Sequence, residues 1–298
     1  MKLALAAAVL LCAGRTFAAE GVTIHVLGLF HPKTLILVAE PANPISAAIP
    51  GQKITIGDTL CDSATMTFYA GEVSLTCGHV RMIAPRIVFA SGTESAPFVL
   101  VVPGKLRRRY QGSLSIAAKD NELFAVVEMD LETAVASIVA AEVPASTPFE
   151  ALKAQAVVTR SFLVASHARH TGSAFCDTTH CQFLRSPPPP DSAASRATRS
   201  TKGLVLAWHG KAFPAMYSAA CGGRTRTLPQ NAQLPAAYPY YAVECRYCLR
   251  HPKASGSAGH GIGLCQRGSA GIAGEGSTFR EILSHYFPNT ELLQLEAR

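Results

Sequence analysis

The hydrophobic period of this chain changes once, near residue 130, and that change bounds what it can fold into. From about 21 to 126, apolar and polar residues alternate in short runs, "VTIHVLGLF", "TLILVAE", "KITIGD", "ATMTFYA", "EVSLTCG", "RIVFA" and "SLSIAA", separated by Gly, Pro, Asn and Asp. A period of two, rich in β-branched residues, is the pattern of strands that bury one face. Beyond 130 the spacing turns helical in "DLETAVASIVAAEVP" and "STPFEALKAQAVVTRSFLVASHARH". The sequence therefore predicts an α+β protein, with a β-rich N-terminal region over 20–105 and a mixed helix and strand domain of catalytic type over 106–298, whose first stretch still belongs to the alternating part. At 298 residues, 48% of them apolar, the chain can bury one sizeable core or two.

Local signals place the helix ends. The first helix must stop near Pro144, because a proline disfavours helical backbone in the residue before it. The second has Thr147 to cap it, Pro148 for the first helical position and Glu150 to complete a capping box. A loop rich in Cys and His follows, then the breaker "SPPPPDS", strands in "KGLVLAWHGKAF" and "PAMYSAAC", a glycine-rich loop and an amphipathic helix "TFREILSHYF".

The opening "MKLALAAAVLLCAGRTFAAEG" has an early Lys2, an apolar run and small residues at Ala18 and Ala19, so residues 1–19 are expected to be a signal peptide and the chain exported to the periplasm, cell envelope or medium. The run is too short to span a bilayer, and Leu11 stands where a lipidated Cys12 would need a small neighbour. Losing Lys2 and Arg15 takes the formal charge from +7 to +5, a basic excess that suits an anionic partner such as cell-wall polymer and is equally common on solvated surfaces. Nucleic acid is not an expected partner: "LRRRY" at 106–110 is the one basic run and reads as a solvated strand start. Of the nine cysteines, eight remain after Cys12 is removed, and in an oxidising compartment each pair has a disulfide as its plain reading.

Glu142 is the first candidate for chemistry, a carboxyl at a helix C-terminus among apolar neighbours, where both surroundings favour its protonated form. In "GHGIGLCQRG" the glycines let His260 and Gln266 approach a ligand, but no Walker, G-x-S-x-G or H-E-x-x-H motif is present. His170, Cys176, His180 and Cys181 offer the two nitrogen and two sulfur donors of a closed zinc site, with a Cys176–Cys181 disulfide as the rival and a nucleophilic thiol a distant third. Cys221, Cys245, Cys248 and Cys265 either form a second four-sulfur zinc site or two disulfides. In both cases the sulfurs are expected to cluster and pin their loops together.

The segments "EVPASTPFEALKAQAVVTRSF", "CDTTHCQ", "YSAACGGRT", "GHGIGLCQRG" and "EILSHYFPNTE", in this order from about Tyr110 to Leu292, resemble the sporulation stage II protein D family, also called the amidase enhancer family. The resemblance implies a lytic transglycosylase acting on the glycan strands of peptidoglycan, with Glu142 as general acid and zinc held by His170, Cys176, His180 and Cys181. Gln155, Arg160, Tyr217, Ser218, His260 and Gln266 are expected to line the groove. The rival readings are a non-catalytic module that presents peptidoglycan to a cell-wall amidase, and a zinc hydrolase. The chain departs from relatives that carry tryptophans at two positions, one of them Ala258 here, so Tyr240 and Tyr241 are expected to supply sugar stacking instead.

Overall fold

The computed structural model describes residues 21–296 apart from 42, 50, 92–95, 167–169, 230–237 and 253–256. The expected signal peptide lies outside the described residues. Twelve strands come first: β1 (Val22–Val26), β2 (Thr34–Ala39), β3 (Ile45–Ile49), β4 (Gln52–Ile56), β5 (Ser63–Tyr69), β6 (Glu72–Cys77), β7 (Val80–Ala84), β8 (Arg86–Ser91), β9 (Pro97–Val102), β10 (Leu106–Gln111), β11 (Ser113–Lys119) and β12 (Glu122–Met129). The remainder comprises α1 (Leu131–Glu142), α2 (Phe149–Ala165), β13 (Phe175–Cys176), α3 (Ala193–Ser200), β14 (Leu204–Trp208), β15 (Lys211–Ala212), β16 (Tyr217–Ser218), α4 (Arg246–Arg250), β17 (Leu264–Cys265), α5 (Gln266–Gly274), α6 (Phe279–Tyr286) and β18 (Glu291–Gln294). The α+β reading of the sequence holds.

The first twelve strands pair antiparallel within two sheets, and with β13 added at one edge the orders are β13-β1-β12-β11-β8-β3-β4 and β10-β9-β2-β5-β6-β7. Alternation explains their shared core: β1 and β12 bury every second residue, and Ile24, Val26, Leu35, Leu37, Met66, Leu75, Ile116 and Val127 are all sealed from solvent. A Cys61–Cys77 disulfide ties the loop before β5 to the end of β6. Closing a loop of this length contributes about 3 kcal/mol by restricting the unfolded chain.

The two halves of the chain are joined in one sheet, because β13 adds to β1 in parallel, Ile24 opposite Phe175 and His25 opposite Cys176. Helix α2 is buried from Ala154 to Leu163, with the polar side chains of Gln155, Thr159, Arg160 and Ser161 enclosed along with its apolar ones. Leu152, Ala156, Phe162 and Leu163 belong to the core beneath the sheets, while Ala154, Val157 and Val158 belong to a second core with Phe213, Tyr240, Tyr286 and Phe287. Among the described residues no helix is long and apolar enough to cross a membrane.

Several local expectations are corrected. Helix α1 does end at Glu142, but Thr147 does not cap α2. Pro148 takes the N-cap position without a side-chain bond, and Glu150 is drawn instead to the Lys153 ammonium (2.6 Å) and the Phe279 N–H (2.8 Å). The basic run is not solvated throughout: Arg108 and Tyr110 point inward from β10, where Arg108 meets Asp177 at 2.8 Å. Helix α3 follows "SPPPPDS" directly, capped by Ser192. Of "PAMYSAAC" only Tyr217 and Ser218 are strand, since their pairing partner β17 is itself two residues long. Tyr240 is buried in the second core, its hydroxyl donating to the Pro214 carbonyl, so it cannot stack on a sugar. Tyr241 is exposed.

Candidate active site

Short elements meet around a cleft of about 420 Å³: the C-terminal end of α1, the loop at 179–182, β16, and the start of α5 with the glycine-rich turn before it. Its lining includes Glu142, Gln182, Tyr217, Ser218, His260 and Gln266, with His180 and Cys181 of the proposed metal set at one edge. Five of the residues expected at the site, Glu142, Tyr217, Ser218, His260 and Gln266, are thus brought together from three separate stretches of chain.

Glu142 is the last residue of α1, half-buried, and its Oε1 accepts a hydrogen bond from the Phe183 N–H at 2.7 Å. It is the one carboxyl group in the described lining of the cleft. Tyr217 lies against it without a well-directed hydrogen bond. Burial, and next the Glu142 carboxylate, hold the phenol well above its ordinary value, so it stays protonated at neutral pH. The Ser218 hydroxyl and both polar atoms of the Gln182 amide are buried without hydrogen-bond partners. Polar groups buried in this way cost free energy unless a ligand or solvent satisfies them. His260 accepts the Ile262 N–H through Nδ1 at 3.0 Å, which puts its neutral-form proton on Nε2, and desolvation lowers its pKa.

Two expected groove residues stand elsewhere. Gln155 is buried behind the lining, bonded to Thr159 at 3.3 Å and reached by the Gln266 amide at 3.5 Å. Arg160 is fully buried on the far side of α2, where its guanidinium clasps Glu132 and donates to the Leu204 and Thr198 carbonyls. Gln182 was not anticipated. Its signal was its place in "CDTTHCQ", directly after Cys181.

His170, Cys176, His180 and Cys181 present one donor atom each, all within 4.8 Å of one another. His170 Nε2 is 3.1 Å from Cys181 Sγ, and His180 Nδ1 is 3.7 Å and 3.9 Å from the sulfurs of Cys181 and Cys176. Around zinc, with bonds of about 2.0 to N and 2.3 Å to S, a tetrahedral N···S edge is about 3.5 Å, so the donors fit that ion. Cys176 and Cys181 are not bonded to each other. The loop is anchored from beneath: the Asp177 carboxylate accepts the Leu27 N–H (3.1 Å) and the Arg108 guanidinium (2.8 Å), both buried.

Residues 119–208 match the family model SpoIID, stage II sporulation protein. This segment, under a third of the chain, is similar to that family. An uncharacterized protein of Brachyspira hyodysenteriae is 29% identical over 119 residues, covering 39% of this chain and 32% of that protein. The protein named Amidase enhancer in Bacillus subtilis is 35% identical over 99 residues, 33% of this chain and 13% of that protein. The chain thus matches about a third of the length of one relative and about an eighth of the other. The matched SpoIID segment holds Glu142 and the His170, Cys176, His180 and Cys181 set, whereas Tyr217, Ser218, His260 and Gln266 lie beyond it.

Proposed function

We propose that this chain is an exported lytic transglycosylase that cleaves peptidoglycan glycan strands between N-acetylmuramic acid and N-acetylglucosamine. The observation that carries the reading is the Glu142 carboxyl, the one carboxyl among the described residues lining the cleft, set beside polar groups without hydrogen-bond partners. Ordinary glycoside hydrolysis uses two carboxyl groups, one as acid and one as base or nucleophile. A single carboxyl is sufficient when the sugar's own 6-hydroxyl is the nucleophile. Protonated Glu142 gives its proton to the glycosidic oxygen as the C1–O bond breaks. The 6-hydroxyl oxygen then bonds to C1 and its proton returns to the carboxylate, leaving a 1,6-anhydro end and the acid restored.

The chain's other groups bind and orient. The Phe183 N–H fixes the rotamer of the Glu142 carboxyl, and the protonated Tyr217 hydroxyl borders it. Gln182, Ser218 and Gln266 offer amide and hydroxyl groups to the sugar's hydroxyl and acetamido substituents. His170, Cys176, His180 and Cys181 would hold zinc. Four protein ligands close its coordination, so it would order the loop that carries Phe183 and take no part in bond breaking. The Cys61–Cys77 disulfide supports export, since such bonds persist in oxidising compartments.

A second reading has its own support. The Bacillus subtilis relative is named Amidase enhancer, which favours a non-catalytic module that presents glycan to a cell-wall amidase. Digestion of peptide-free glycan strands, followed by mass spectrometry, separates these. Anhydro-ended fragments are expected, and they should vanish in Glu142→Gln, a change that removes the transferable proton at nearly constant shape. Reducing ends would indicate a hydrolase. Binding with no fragments would leave the enhancer reading, and a folded Glu142→Gln chain with full activity would exclude this residue as the acid.

A further inference from the structure

The deeper sulfur cluster is independent of glycan chemistry. Cys221 lies just after β16, Cys245 and Cys248 at the start of and within α4, and Cys265 at the N-cap of α5. Their four sulfurs lie within 4.8 Å of one another, and the residues are 6%, 0%, 1% and 0% exposed. We propose that these four thiolates bind one zinc ion, a structural site that fastens the wall of the cleft opposite Glu142's helix.

Three observations favour metal over two disulfides. First, the Cys248 and Cys265 sulfurs are 3.7 Å apart. With Zn–S bonds of about 2.3 Å, the edge of a tetrahedron is about 3.8 Å, whereas a disulfide needs about 2.05 Å. Second, the surroundings direct hydrogen atoms at sulfur. The Gly268 N–H donates to Cys265 Sγ at 3.3 Å, and the Tyr286 hydroxyl is 3.2 Å from Cys245 Sγ. Donors of this kind spread the negative charge of a four-thiolate zinc centre and orient its ligands, and a neutral disulfide has little use for them. Third, the approach of α5 is built around the cluster. A Cβ on Gly268 would strike both Tyr286 Oη and Cys245 Sγ, so only glycine lets the helix start so close. Zinc suits this donor set because a closed sulfur tetrahedron needs no redox activity, and zinc's filled d shell offers none.

The test removes the other cluster first. In the full chain carrying His170→Ala and Cys176→Ser, one zinc per chain is expected by elemental analysis. Cobalt loading should give the intense sulfur-to-metal absorption of four-thiolate coordination. Adding Cys248→Ser should abolish both signals. Should that last variant not fold, non-reducing peptide mapping of the wild-type chain decides. Thiols at Cys221, Cys245, Cys248 and Cys265 that become alkylatable only after chelation support the site. Disulfides among them, zinc-free folded protein, or iron in place of zinc would overturn it.

Discussion

Replacing Arg160 with alanine is expected to cost about 4 kcal/mol of stability and to leave the proposed glycan recognition untouched in the protein that stays folded. The residue is fully buried. Its Nε and one terminal nitrogen grip the Glu132 carboxylate at 2.8 and 2.6 Å, and it donates to the Leu204 carbonyl at 3.0 Å and the Thr198 carbonyl at 3.3 Å. One side chain thereby ties α1, α2, α3 and β14 together. The Glu132 side chain is 21% exposed, so truncation leaves a largely desolvated carboxylate whose remaining donor is the Gly203 N–H at 3.2 Å. Breaking a buried pair from one side costs about 3–5 kcal/mol. For a chain of this size that corresponds to a fall in Tm of roughly 8–16 °C. Arg160→Lys keeps the charge but loses the two-pronged geometry, and should recover about half the loss. Urea unfolding followed by circular dichroism measures the stability, and co-sedimentation with peptide-free glycan strands measures recognition. A stability loss under about 1 kcal/mol together with lost glycan binding would refute this reasoning and return Arg160 to the groove.

Asp177→Ala should lower stability by about 3–5 kcal/mol, because it strands Arg108 in the core and removes the acceptor of the Leu27 N–H. Calorimetry on this variant should show a loss far larger than that for Glu275→Ala, whose partner Arg250 is exposed. His260→Gln should flatten the acid limb of the stability curve. His260 has a lower pKa folded than unfolded, so the unfolded chain takes up more protons as pH falls through and below about 6.5, and folding stability drops there until the folded imidazole is also protonated. A Tm–pH profile unchanged by the substitution would remove His260 from that account.

The division into strands and helices was legible because alternation and helical spacing act over many residues, and burial in β1, β12 and α2 follows those periods. Strand β9 was harder to read. "PFVLVV" is continuously apolar, with Phe98, Val99 and Leu100 all buried, and so shows no alternation. Helix α3 was masked by the four prolines before it, since its polar sequence "AASRATRS" announces itself only through the Ser192 cap. At the site, the grouping of the two donor clusters was legible from residue type and order, and the place of Glu142 in the cleft from the family resemblance. Arg160 was misread because a lone cation on a helix normally seeks solvent, and its partner Glu132 is 28 residues away in sequence. Gln182 was missed for the converse reason: an amide side chain carries no pattern until neighbours enclose it.

The same geometry explains why sulfur clusters flank the cleft on both sides. Its walls are made of elements too short to hold themselves. β16 and β17 are two residues each, joined by a two-stranded parallel pairing of Tyr217 with Leu264 and Ser218 with Cys265. A ribbon of that size is not stable alone. Cys265 ends that ribbon, and Gln266 of the cleft follows it directly, so whatever binds Cys265 to Cys221, Cys245 and Cys248 also sets Tyr217, Ser218 and Gln266. On the other wall Cys181 precedes Gln182, and Phe183 holds Glu142, so the position of the Glu142 carboxyl is linked to the His170, Cys176, His180 and Cys181 set through two residues of chain. Catalytic and binding groups must be held to about 0.5 Å to act. Under the proposed function, α1 and α2 would supply that precision through regular secondary structure, and the four-donor clusters would supply it where regular structure stops.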